Sequence, residues 1–121
     1  MDMNAEFDIE QFIRKRKAEF ERIADIVGDI SLSSFRHYSR MSEETFCFDT
    51  NVRYKGKKIG TARNDGRGGM TFFYQDHKVY ARLDLYDRLK VSCTELSIGD
   101  IIDHLVYAEI ERKETAKMKS N

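Results

Sequence analysis

The residues of this chain that could do chemistry are most concentrated between positions 55 and 69. Four of the seven glycines lie at positions 60, 66, 68 and 69, beside Asn64, Asp65 and Arg67. Backbone N–H groups in consecutive turns can form an anion-binding nest, so the 64–69 loop is a candidate phosphate cradle. The segment lacks the residue order of a P-loop, and it joins two predicted strands rather than opening a helix. The pattern therefore favours a turn that requires positive φ, with partner binding as the functional alternative.

Basic side chains form two groups that could contact phosphate. Arg14 and Arg16 belong to a run of four cations that a helix would spread around its circumference, with Lys15 and Lys17 facing glutamates four residues on. The second group lies around the predicted turns between strands and consists of Lys55, Lys57, Lys58, Arg63 and Arg67. The predicted nucleic-acid surface draws on both groups and comprises Arg14, Arg16, Arg36, Arg40, Lys55 and Lys58. Aromatic side chains on an exposed sheet face beside these lysines would resemble an RNA-stacking platform. The aromatic residues concerned are expected in the core instead: Phe46, Phe48, Phe72 and Tyr74.

The remaining reactive side chains predict no catalytic or metal centre. The three histidines, His37, His77 and His104, lie in separate elements with no second His or Cys at ligand spacing. His104 follows Asp100 by one helical turn, which predicts a local hydrogen bond. The two cysteines, Cys47 and Cys93, have no CxxC spacing, and Cys47 is expected to be buried and unpaired. The carboxylates Asp49, Asp65 and Asp76 form no marked pair, so we expect neither an enzyme nor a cofactor.

Composition places the chain among single-domain globular proteins. Its 121 residues are 40% hydrophobic and 35% charged, with a formal net charge of zero. That balance argues against binding nucleic acid by bulk charge and equally against an acidic DNA mimic. No apolar run approaches the roughly 20 residues of a membrane span, and nothing resembles an export signal. We therefore expect one domain over residues 1–121, located in the cytoplasm.

The periodicity predicts helices at both ends of the chain. Apolar residues recur at helical spacing over 8–27, with Asp8 as N-cap and Gly28 as the C′ residue. Residues 76–90 fit either a helix capped by Asp76 or a strand, and the helix is favoured by length. Ser97 and Asp100 resemble a capping box. The apolar stripe expected behind this box consists of Ile98, Ile101, Ile102, Leu105 and Ala108.

Strand patterns lie between these helices. Residues 45–54 alternate between apolar and polar, 58–63 return after the Lys55-Gly56 turn with Ile59 and Thr61 facing the core, and 70–75 follow the glycine-rich loop. Residues 30–40 are ambiguous. The fold class expected is α+β: an N-terminal amphipathic helix, a small antiparallel meander of three or four strands, and one or two C-terminal helices packed on the sheet.

Residues 54–69 resemble a segment of small uncharacterised phage and mobile-element proteins, in which a GKKxGxxxNDGxGG motif follows an aromatic-rich strand. Residues 99–106 look like the acidic-apolar helix that comes later in those proteins. The resemblance implies a small accessory protein by which a phage or plasmid modulates its host. Proteins of this kind often act as stoichiometric binders, including inhibitors of restriction or CRISPR-type defence.

These observations lead to one favoured function and two alternatives. The favoured function is a non-enzymatic protein that binds a host or phage protein, with a contact surface comprising Lys57, Arg63, Asn64, Asp65 and Arg67. The first alternative is an RNA- or DNA-binding module, acting directly or through a ribonucleoprotein. The second is a small-ligand protein or enzyme that uses the loop as an anion cradle. The sequence leaves the oligomeric state open.

Overall fold

The fold is α+β, as the sequence predicts. The structure is a computed structural model that describes the backbone of residues 2–120 and the side chains of residues 10–118. The elements in chain order are α1 Asp2–Arg22, α2 Ala24–Gly28, β1 Ile30–His37, a 3-10 turn Ser39–Met41, β2 Cys47–Tyr54, β3 Lys57–Asp65, β4 Phe72–Gln75, α3 Ala81–Ser92 and α4 Ile98–Ser120. Among the described residues, no helix is long and apolar enough to cross a membrane.

The four strands form one antiparallel sheet in the order β1-β2-β3-β4. The ambiguous 30–40 segment supplies β1, whose pairing with β2 shifts between Ser33 and Arg36, where Ser34 has a φ of +49°. The core lies on one side of the sheet. It joins strand residues to residues of α2, α3 and α4, and its buried members include Ile26, Phe48, Val52, Tyr54, Leu85, Ile101, Ile102 and Val106.

The single helix predicted over 8–27 is wrong in its bounds. α1 begins at Asp2, so Asp8 lies within the helix rather than at its N-cap, and its side chain is outside the described residues. The helix breaks at Ile23, which leaves helical geometry with φ −103° and ψ 25° and is 1% exposed. The break lets Ile23 and Ile26 both enter the core. Gly28 ends α2 without a positive φ, so it is not the left-handed stop expected.

A β-bulge in β3 overturns the prediction that Ile59 and Thr61 share a face. Val52 pairs with Gly60 but Arg53 pairs with Lys58, so one extra residue of β3 lies between these pairs. An inserted residue reverses the alternation of side chains beyond it. Ile59 is therefore buried in the core, whereas Thr61 lies opposite Asn51 on the other face.

The C-terminal helices confirm the element types and refine their starts. Residues 76–90 are mainly helical, but α3 begins at Ala81, and Asp76 instead accepts a hydrogen bond from the Lys78 N–H at 3.0 Å. The capping box is confirmed by reciprocal bonds between Ser97 and Asp100, of 2.9 and 3.1 Å. Ala108 is exposed, and the predicted stripe continues through other buried residues, Val106 and Ile110.

Candidate functional site

The face of the sheet opposite the helices, which we call the open face, carries two rows of mainly polar side chains. Directly paired residues of antiparallel strands point to the same side, so the strand register assigns the members of each row. The first row is Arg36, Asp49, Arg63 and Phe72, and the second is Ser33, Asn51, Thr61 and Tyr74. All eight side chains are exposed or half-buried. A hollow of about 730 Å³ lies over this face and is bounded at one end by Tyr38 and Met41.

Two of the aromatic residues expected in the core lie instead on the open face. Phe72 is 57% exposed and Tyr74 is 54% exposed, with ring centroids 6.4 Å apart in a stacked arrangement. The aromatic residue of β4 that packs against the core is Phe73. Phe46 is 36% exposed and contacts Tyr107 of α4. Of the four aromatics predicted to be buried, only Phe48 belongs to the core cluster.

The first row places opposite charges side by side. Arg36 Nε donates to Asp49 Oδ1 at 3.0 Å, and the Tyr38 hydroxyl donates to Asp49 Oδ2 at 2.7 Å. The bond to Asp49 raises the pKa of Tyr38, because it stabilises the protonated phenol beside a carboxylate. Arg63 lies between Asp49 and Phe72 in the register. Among the described side chains no carboxylate forms an ion pair with Arg63, so its guanidinium can bind an external acceptor.

The 64–69 loop is organised internally by Asn64, which is only 7% exposed. Its side-chain oxygen accepts from the Gly66 N–H and from the Thr45 hydroxyl, and its Nδ2 donates to the carbonyl of Gly69 and to Thr71. Positive φ values of +81° at Gly66 and +90° at Gly68 confirm the turn that the sequence predicts.

Three backbone N–H groups of the 64–69 loop that could have formed an anion cradle already have acceptors. The Gly66 N–H bonds to Asn64, the Arg67 N–H to Asp65 at 3.1 Å, and the Gly68 N–H to the Thr45 hydroxyl at 3.3 Å. A phosphate would have to displace these bonds. The loop therefore presents side chains rather than backbone donors to a partner.

The structure brings together only part of the predicted protein-binding surface. Arg63, Asp65 and Arg67 are exposed at the loop end of β3, while Asn64 supports them from within. Lys57 begins β3, eight residues from Asp65, which corresponds to about 27 Å of extended strand. Lys57 consequently lies outside the surface that the other three form.

The six basic residues of the nucleic-acid alternative are spread over separate parts of the molecule. Arg14 and Arg16 lie on α1, and Arg16 pairs with Asp100 at 3.4 Å. Arg36 and Arg40 lie near one end of β1, in the strand and in the 3-10 turn that follows it. At the opposite end of the sheet Lys55 pairs with Asp84 at 3.7 Å, and Lys58 is exposed. These residues do not form one continuous patch.

The histidine and cysteine predictions have mixed outcomes. His104 stacks on Phe20 with centroids 4.2 Å apart, whereas Asp100 caps α4 and pairs with Arg16, so the expected bond between His104 and Asp100 is not formed. Cys47 is buried as predicted, and Cys93 is exposed. Over the described residues, no three His, Cys, Asp or Glu side chains are placed to hold a metal ion.

Comparison with known proteins found no relative of this chain. No family model, no curated protein and no solved structure matches the chain. The likeness of residues 54–69 to phage and mobile-element proteins therefore stays a prediction.

Proposed function

We propose that this chain is a non-enzymatic protein-binding protein whose contact surface is the loop end of the open face. The observation that carries the proposal is the exposure of Phe72 and Tyr74 on the open face, beside Arg63, which forms no ion pair with a described side chain. Aromatic residues and arginine are enriched in protein interfaces, because they combine large apolar area with directional hydrogen bonding. Asp65 and Arg67 extend this surface as a charged rim.

The partner we propose is a host or phage protein in the cytoplasm. This part of the proposal rests on the resemblance of residues 54–69 to phage and mobile-element proteins. A stoichiometric inhibitor of a defence system, of the CRISPR-inhibitor type, fits a small chain with a pre-formed surface.

A quantitative pull-down tests the contact surface. Tagged wild type, Arg63→Glu, Arg67→Glu and Phe72→Ala would be compared in nuclease-treated lysate of the native host. Lys90→Glu is the matched control, since it reverses an exposed charge on α3. We expect one stoichiometric protein that Lys90→Glu retains and that the three surface variants lose by at least tenfold. Equal capture by all variants would contradict this surface.

Single-stranded nucleic acid is the second candidate, and the stacked Phe72–Tyr74 pair favours it. Base stacking on aromatic side chains contributes about 1–3 kcal/mol per base, and Arg63 could contact the adjacent phosphate. Binding of a labelled RNA 12-mer, followed by fluorescence anisotropy, would then weaken steeply with salt and with Phe72→Ala. Salt-insensitive binding, or binding unchanged in the variant, would eliminate this candidate.

A further inference from the structure

The free edge of β4 has hydrogen-bonding groups that point away from the sheet. β4 pairs with β3 on one side only, and the Asp76 N–H donates to the Ile59 carbonyl at 2.8 Å. Bonded and non-bonded pairs alternate along an antiparallel ladder. Asp76 therefore directs its backbone groups toward β3, and so does every second residue before it, namely Tyr74 and Phe72. The residues between them, Phe73 and Gln75, direct their backbone groups outward.

Apart from its short length of four residues, this edge strand lacks the features that usually prevent strands from pairing. Proteins protect edge strands with lysine, proline, bulges or inward charges. The four residues of β4 carry no charge and no proline. Of the large apolar side chains exposed among the described residues, five lie in this part of the chain: Met70, Phe72, Tyr74, Tyr80 and Leu83. Met70 and Tyr80 flank the strand on its two sides in sequence, and they are 76% and 74% exposed.

We propose that β4 pairs antiparallel with β4 of a second copy of this chain, making a two-fold dimer with a continuous eight-stranded sheet. The outward groups of Phe73 in one copy meet those of Gln75 in the other, and Tyr74 faces its own equivalent on the axis. An uncharged strand opposes no like charges when it pairs with itself. The same two-fold rotation brings the segment around Met70 of one copy toward the segment around Tyr80 of the other. This inference does not depend on the proposed function.

Cysteine cross-linking tests the register. Non-bonded antiparallel pairs have Cα atoms about 4.5 Å apart, within the range that a disulfide spans. In a Cys93→Ser background, Tyr74→Cys should form a covalent dimer under mild oxidation. Thr61→Cys is the matched control: it occupies the same row one strand away. Three strand spacings, about 14 Å, would separate the two copies of that cysteine.

Sedimentation equilibrium tests the assembly without added cysteines. We expect the wild type to have about twice the 14.2 kDa monomer mass at 100 µM, and Tyr74→Lys, checked for folding by circular dichroism, to have the monomer mass. A monomeric wild type, a dimer insensitive to Tyr74→Lys, or equal cross-linking at positions 74 and 61 would overturn the proposal. If the wild type is monomeric, the strand that pairs with the free edge of β4 would have to come from a different protein.

Discussion

At the scale of single residues, Gly60 shows how a missing side chain determines which aromatic residue is buried. A Cβ at this position would lie 2.7 Å from Phe73 Cε1 and would also meet the Tyr74 carbonyl. The ring of Phe73 therefore occupies the space beside the Gly60 backbone and packs into the core, which leaves Phe72 and Tyr74 on the open face.

We expect Gly60→Ala to lower the free energy of unfolding by about 1–3 kcal/mol, the usual cost of overpacking. Urea unfolding followed by circular dichroism measures it. Gly69→Ala is the control, because a Cβ there meets nothing within 4 Å and its φ is not positive. If the two substitutions had equal effects, the close approach of Phe73 would not be the cause.

A second feature at the scale of single residues is Tyr54, which links the core to a charged cluster. Its hydroxyl accepts from Arg88 at 2.8 Å and donates to Asp84, and Arg88 also pairs with Asp29 at 2.7 Å. The hydrogen bond from Tyr54, followed by the charges of Lys55 and Arg88, lowers the pKa of Asp84. Because the folded-state pKa is the lower one, ionised Asp84 stabilises the fold above the unfolded-state pKa of about 4.

Tyr54→Phe should destabilise the protein most at neutral pH. The stability that Asp84 contributes is lost as the pH falls through its folded-state pKa, so the difference between wild type and variant should narrow below pH 4. Urea midpoints between pH 3 and pH 7 provide the measurement. Tyr80→Phe, on a residue 74% exposed, should show no such trend. A difference constant across this range would argue that packing, not the hydroxyl, is responsible.

At the scale of elements, sequence patterns succeeded where the signal is local. The Ser97–Asp100 capping box needs only two side chains at fixed spacing, and both of its bonds are present. The turn at 64–69 is likewise specified by its own residues. The bulge in β3 and the break at Ile23 were missed, because each depends on tertiary packing that periodicity does not reveal.

Ser97→Ala should cost about 1 kcal/mol by removing the side-chain bond to the Asp100 N–H. Thr115→Ala is the control on the same helix, where an exposed threonine is replaced by a better helix former. Thermal unfolding by circular dichroism should show a lower Tm for the first variant only. An unchanged Tm for Ser97→Ala would mean that water replaces the cap without cost.

The candidate site shows the same division between local and tertiary information. The sequence predicted the exposed Arg63, Asp65 and Arg67, because a glycine-rich turn with charged residues belongs at the surface. It missed Phe72 and Tyr74. Three consecutive aromatic residues must direct at least one ring to each side of a strand, but only the packing of Phe73 against Gly60 determines which.

At the scale of the whole molecule, the two N-terminal helices contribute unequally to the hydrophobic core. Phe12 and Ile13 are each 60% exposed, whereas Ile26 in α2 is 4% exposed and belongs to the core. We expect the double variant Phe12→Ser/Ile13→Ser to stay within about 0.5 kcal/mol of wild type, as surface substitutions usually do. Ile26→Ala should cost about 2–5 kcal/mol. Urea unfolding at one protein concentration compares both. A large loss of unfolding free energy in the double variant would show that α1 packs against another surface in solution. Repeating the measurement at lower protein concentration would then show whether that surface belongs to a second copy or to the same chain.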